Sequence, residues 1–361
     1  MRQKDKRVLF VAEPGGINAR PLYRAVNPAK GLVQHGFDVR VCPILYEQED
    51  HTFNGYCYDE SERPSTPKYI IAHTFMSPTR EGKLAWESQA QIIETARVHG
   101  QRFLFDLDDD IWNIPDWNPA SSPTANLMGN YPHWISDVNS SDGLIVSTNS
   151  IAESAKKSGE IKVPISVITN SIDVTQYNPD HKDHSPLRIG WIGDLDYRLE
   201  DFKLIIPTLY HISENKRNEI EFWHIGANFA STSIRDILKR FPVDIVERPW
   251  VPAFEFYKAI ESIDILLCPC ADHPFNNGRS NAIAMAAIAG GIPFISSRAR
   301  EFCSFSLALA EPEDWHYELT RLIENSRYRR EVVSTELPYI QNFDTPKKRA
   351  EDYIRLFEEL C

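Results

Sequence analysis

Short, uninterrupted apolar runs recur along this chain, and each ends in a glycine or proline turn. Residues 7–12 (RVLFVA) form the first; Gly15 and Gly16 follow, then a helix-like stretch over 23–34, Gly36 and a second run over 38–45. Strand, glycine turn, helix, glycine, strand is the βαβ pattern, which implies a parallel sheet. Runs at 69–73, 102–105, 143–147 and 165–169 extend it, with a long polar helix predicted over 81–99. The runs are apolar throughout and do not alternate, as expected of strands covered on both faces. The polar stretch 178–186 (NPDHKDHSP) has no apolar period and reads as a linker; the alternation then restarts at 187–192, 220–225, 243–246, 263–268 and 293–296. The expected organisation is an α/β domain over 1–180, a second over 181–344, and a terminal helix over 345–361. In that helix Tyr353, Ile354, Phe357 and Leu360 share one face and return to the first domain.

Composition narrows the classes. Of 361 residues, 42% are hydrophobic and 25% charged, which excludes a disordered or fibrous chain. Thirty-nine basic against 51 acidic residues give a net charge of −12, unfavourable for general nucleic-acid coating. The most apolar stretch, 282–296, is shorter than the ~18 residues a membrane span needs, and it contains Gly290, Gly291 and Pro293. The opening MRQKDKR followed by five apolar residues reads as a strand and not a signal peptide, so a cytoplasmic protein is expected. Six scattered cysteines then read as reduced thiols, and Cys268-Pro269-Cys270 lacks zinc-site spacing.

Four constellations could carry chemistry. Gly15 and Gly16 follow the first strand, where backbone N–H groups can approach a ligand, although the spacing is not that of a dinucleotide fingerprint. Asp106, Asp108, Asp109 and Asp110 crowd four carboxylates at the carboxyl end of the 102–105 run. Their mutual repulsion calls for cations, hydroxyls or N–H groups nearby, and metal binding, base chemistry and hydroxyl recognition all fit. Gly193 and Asp194 end the run 187–192, with Arg198 four residues on. Last, Asn276, Gly278, Arg279, Ser280 and Asn281 open a small-residue helix and form an anion cradle, with arginine suited to phosphate. No G-x-S-x-G or P-loop is present, and His73 and His224, each near the end of an apolar run, read as core or rim histidines.

In order, these pieces resemble the family 4 glycosyltransferases of the two-Rossmann GT-B fold, in their bacterial and phage form. The resemblance spans nearly the whole chain: Gly15-Gly16 with Tyr23, Arg24, Pro28 and GFDV at 36–39; FDLDDDIW at 105–112; DGLIVST at 142–148; VITNSID at 167–173 with Tyr177 and Pro179; GWIGD at 190–194; and DILLCP at 264–269 with FNNGRSN at 275–281, Gly291 and Pro293. It implies two Rossmann-like domains facing a cleft, and transfer of a sugar from a nucleotide-sugar donor, UDP- or GDP-linked, to a hydroxyl.

By that resemblance Gly193, Asp194, Arg198, Asn276, Gly278, Arg279, Ser280 and Asn281 bind the donor, with Gly15 and Gly16 completing its diphosphate site. One of Asp106, Asp108, Asp109 and Asp110 would sit by the reacting sugar or acceptor. No metal or other cofactor is expected, because cationic side chains and helix N-termini stabilise the leaving diphosphate in this fold. The acceptor is open between a glycan, a protein, a small molecule and a hydroxymethylated DNA base, the last disfavoured by the net charge. Where the family carries a Glu-x7-Glu pair, this chain has Gly278 and Ala286. That departure keeps two alternatives in play: a non-catalytic nucleotide-sugar-binding or assembly protein, and a nucleotide-sugar epimerase.

Overall fold

A computed structural model describes residues 6–12, 20–43, 67–73, 93–122, 126–226, 232–305, 309–311, 313–343 and 345–361. Gly15, Gly16 and the 81–92 part of the long polar helix lie outside the described residues; 93–98 is helical. The chain divides into two compact units, one from 1–113, 120–171 and 344–361, the other from 114–119 and 172–343.

The first unit is built on six strands: β1 (Arg7–Ala12), β2 (Asp38–Pro43), β3 (Tyr69–His73), β4 (Arg102–Leu107), β5 (Gly143–Val146) and β6 (Ile165–Val167). They form one sheet in the order β2-β1-β3-β4-β5-β6, every pairing parallel. The order reverses between β1 and β3, the point outside whose carboxyl ends α/β proteins bind ligands. β3 is buried along its whole length, which is why its run is continuous and not alternating.

The helix Pro346–Glu359 starts at Thr345, whose side chain accepts from Lys348 N, with Pro346 in the first turn where its missing N–H costs nothing. Tyr353 and Phe357, four residues apart on one face, enter the same core as Phe10, Tyr69 and Ile71. Phe357 stacks on Tyr69 with ring centroids 4.0 Å apart, and Tyr353 meets Phe10 edge-on at 5.7 Å. Gly31, on helix Asn27–Gln34, permits this docking, since a Cβ there would lie 2.0 Å from the Pro346 carbonyl oxygen.

The second unit carries β7 (Leu187–Ile192), β8 (Ile220–Ile225), β9 (Asp244–Arg248), β10 (Ile265–Cys268), β11 (Phe294–Ser297) and a two-residue β12 (Leu309–Ala310). The sequence reading did not include β12, too short to show a run of its own. The sheet order is β12-β11-β10-β7-β8-β9, all parallel, which is the doubly wound 3-2-1-4-5-6 arrangement counted from β7. Its switch point lies between β7 and β10. The apolar stretch beginning at 282 is the helix Ala282–Ala289, in which seven of eight residues are buried; it has no polar face because it has no wet face. Among the described residues no helix is long and apolar enough to cross a membrane.

Residues 178–186 form neither helix nor strand, yet the segment is tied down within the second unit. Asp183 pairs with the buried Arg329 at 2.5 Å. Pro179 lies so close to Gly291 (φ +73°) that a Cβ there would stand 2.2 Å from its carbonyl oxygen.

Candidate functional site

At the carboxyl end of β4 the four aspartates part company. Asp106, still in the strand, takes a bidentate pair from Arg24: Nε to Oδ1 at 2.8 Å and a terminal nitrogen to Oδ2 at 2.6 Å, both side chains 1% exposed. Arg24 also donates to Ile168 O and to Asn170 Oδ1, so its fork is filled. Burial works against the guanidinium charge, but Asp106 outweighs it and raises the pKa. Asp110 is equally buried; its Oδ2 accepts from Ser154 Oγ at 2.6 Å and Asn113 Nδ2 at 2.8 Å, which pins the turn after β4 to helix Asn149–Ser158. Burial raises its pKa.

Asp108 and Asp109 face outward, with side chains 18% and 43% exposed, and share Arg20 at 3.0 and 2.5 Å. Burial pushes the Asp108 carboxyl up, but Arg20 and His73 together hold it well below the usual carboxylate range. His73 is the last residue of β3, at the switch point. Its Nε2 lies 3.5 Å from Asp108 Oδ1 and 3.9 Å from Asp106 Oδ1, and among the described residues neither ring nitrogen makes a well-formed hydrogen bond. Burial disfavours the imidazolium, yet Asp108 reverses this and the pKa is raised. Sequence reasoning set His73 aside as a core or rim residue. Its place at the end of an apolar run is the signal that could have marked it, because the register β3–β4 sets His73 beside Asp106.

At the carboxyl end of β7, Gly193 takes φ +147°, donates its N–H to Ile225 O and accepts at its carbonyl from His224 and Trp191. A side chain would be strained at that φ. Asp194 Oδ1 accepts from Asp196 N and so caps the turn leading to Arg198; burial raises its pKa. Arg198, 9% exposed, is paired with Asp201, three residues on in the first turn of helix Leu199–Asn215.

Asp201, which the sequence places in the same constellation as Gly193 and Arg198 without a role of its own, is a hub. Fully buried, its Oδ1 accepts from Ala271 N and Asn276 Nδ2, both at 2.7 Å, and so fastens the loop after β10 to the first turn of helix Leu199–Asn215. Its i,i+3 spacing from Arg198 was the available signal. Asn276 also donates to Ala271 O. Arg279 comes to 3.9 Å from Cys270 Sγ. Burial raises the Cys268 thiol pKa, while the charges of Arg279 and Arg198 both act to lower it. Cys268 and Cys270 are buried free thiols.

Gly278 has ordinary helical φ and closes the turn Pro274–Asn277 with its N–H on Phe275 O. Ser280 precedes Asn281, whose side chain turns away to Glu301 O and Ser304 Oγ. The structure therefore brings Arg198, Asn276 and Arg279 together around the end of β10, and commits Asn281 to the neighbouring turn Arg300–Ser304.

No protein-family model matches this chain, and no curated protein resembles it in sequence. Solved structures do resemble it. Sucrose-phosphate synthase from Thermosynechococcus elongatus aligns over 98% of both chains with a TM-score of 0.68 at 11% identity. Anabaena HepE in complex with UDP aligns over 98% of this chain and 100% of its own, with a TM-score of 0.57 at 12% identity. The α,α-trehalose 6-phosphate synthase of Burkholderia multivorans aligns over 99% of both, with a TM-score of 0.57 at 11% identity. At such identities the likeness is one of fold, and the fold of this chain is GT-B.

Proposed function

We propose that this protein is a glycosyltransferase of the family 4 type, moving a hexose or pentose from a UDP- or GDP-sugar to a hydroxyl acceptor. The observation that carries the reading is the pair of arginines, Arg198 and Arg279, at the switch point of the second sheet. In this reading Arg279 binds the diphosphate and Arg198, held in place by Asp201, adds its positive charge beside it. They supply the positive charge that stabilises the leaving diphosphate, and no metal is required.

In the first unit, Asp108, its charged form favoured by Arg20 and His73, accepts a hydrogen bond from a sugar or acceptor hydroxyl. His73, whose Nε2 stands 3.5 Å from Asp108 Oδ1, gives or takes the second. Asp106 and Asp110 hold the strand end in place and Asp109 steadies Arg20. The reaction joins the acceptor oxygen to the anomeric carbon, breaks that carbon's bond to the diphosphate and releases the acceptor proton.

The first test is a thermal-shift panel of UDP-, GDP-, ADP-, CMP- and dTDP-sugars. Ligand at 100 times Kd adds about 2.7 kcal/mol, an unmistakable rise in Tm. A hit names the donor; silence across the panel overturns the donor site. One observation favours a second reading, a nucleotide-sugar-binding protein without turnover. The positions where the family has glutamates hold Gly278 and a fully buried Ala286. Binding with neither transfer nor donor hydrolysis would select it.

A further inference from the structure

We propose that His181, His184 and Asp264 form a binding site for a single transition-metal ion of the zinc class, apart from the sugar chemistry. Among the described residues, the ligand atoms these three offer lie within 4.8 Å of one another. His181 Nε2 is 2.7 Å from Asp264 Oδ1, and His184 Nδ1 is 2.8 Å from the same oxygen. The His184 backbone N–H reaches that oxygen too, at 3.0 Å. One carboxylate oxygen thus faces three donors while Oδ2 receives one, Arg188 N at 2.7 Å. An oxygen with two lone pairs is overcommitted by that count. A cation that replaces the two ring protons relieves the crowding.

The ligand types are those that zinc takes: two imidazoles and a carboxylate, leaving a fourth position for water. Tetrahedral zinc with bonds of about 2.0–2.1 Å sets its ligand atoms ~3.3 Å apart, so each imidazole needs to withdraw by roughly half an ångström. The surroundings are already arranged. Asp264 is wholly buried and oriented by the Arg188 N–H, the kind of supporting bond that fixes a metal ligand. Arg329 holds Asp183, and Gly291 admits Pro179, so the chain carrying both histidines is fixed on either side of His181. His184, 30% exposed, provides the way in from solvent.

The position separates this site from the candidate donor residues. Asp264 stands just before β10, whereas Cys270, Asn276 and Arg279 follow that strand's other end. Four residues of strand place the two about 13 Å apart. The ion would clamp the 178–186 segment to the sheet and take no part in transfer.

The test uses the full chain, stripped with a chelator and dialysed. Zinc is titrated calorimetrically, and cobalt(II) by its visible absorption. The expected result is one equivalent of zinc bound, four-coordinate cobalt bands, a higher Tm with zinc, and loss of all three in His184→Ala. That variant should keep its circular dichroism and its response to nucleotide-sugars, because His184 is partly exposed and lies at the opposite edge. A second variant, His181→Ala, should weaken zinc at least ~100-fold. No heat or cobalt spectrum up to millimolar metal overturns the proposal, as does binding that survives in both variants. Neither result touches the donor site.

Discussion

The carboxyl ends of β4, one strand beyond the switch point of the first sheet, and of β10, at the switch point of the second, are charged in opposite ways. At β4, four aspartates meet two arginines and a histidine, and most of that charge is neutralised on the spot: Arg24 with Asp106 fully buried, Arg20 shared by Asp108 and Asp109. At β10 the arginines are gathered around a thiol. Arg198 leans on Asp201, and Arg279 meets no carboxylate within 4.0 Å among the described residues. The difference separates scaffolding from readiness to bind. A charge already matched and buried holds the backbone; a charge held in place and left unmatched is available to a ligand.

The sharpest way to break the comparison is Arg24→Met. It removes the bidentate guanidinium from Asp106 in a site 1% exposed, and should cost about 3–5 kcal/mol in denaturant unfolding. A loss below 1 kcal/mol would mean that Asp106 is not the anchor described. Next in size, Asp108→Asn should leave the fold intact and lower turnover on the order of 100-fold, at the lower end of what a positioned acid–base group supplies.

The same variant carries a pH signature. The folded pKa of Asp108 lies below its unfolded value, so its contribution to stability is complete above the ordinary carboxylate range. That contribution disappears as pH falls through the folded value. Urea unfolding of Asp108→Asn should therefore show a flatter acid limb than the parent; an unchanged limb would remove Arg20 and His73 as its cause.

Arg279→Ala should weaken nucleotide-sugar binding roughly 10- to 100-fold, in line with loss of a charged hydrogen-bond partner at about 1.5–3 kcal/mol, with Tm little changed. Unaltered affinity would place the diphosphate elsewhere. The smallest effect belongs to Asp109→Asn. At 43% exposure its contact with Arg20 is worth under ~1 kcal/mol, and activity should stay near that of the parent. If Asp109→Asn abolishes turnover and Asp108→Asn does not, the two carboxylates exchange roles.

The sequence by itself determined the two α/β halves, their parallel sheets and the location of charge at strand ends. Each of these follows from local rules: continuous apolar runs need cover on both faces, and glycine turns link strand to helix. The anion-cradle reading of 276–281 was local too, since Gly278, Arg279 and Ser280 precede a helix made of small residues.

What only tertiary structure decided was which of several like residues does which job. Asp106 and Asp108 are two positions apart in sequence, but strand geometry sends one into the core against Arg24 and the other toward Arg20 and His73. Asp201 looks like any acid in a helix's first turn, and becomes a hub only because the loop after β10 arrives beside it. His181, His184 and Asp264 are separated by about eighty residues and meet because β10 lies next to β7, the strand that the 178–186 segment leads into. Burial and pairing are properties of contacts between distant residues, and a linear pattern records only which residues are near in the chain.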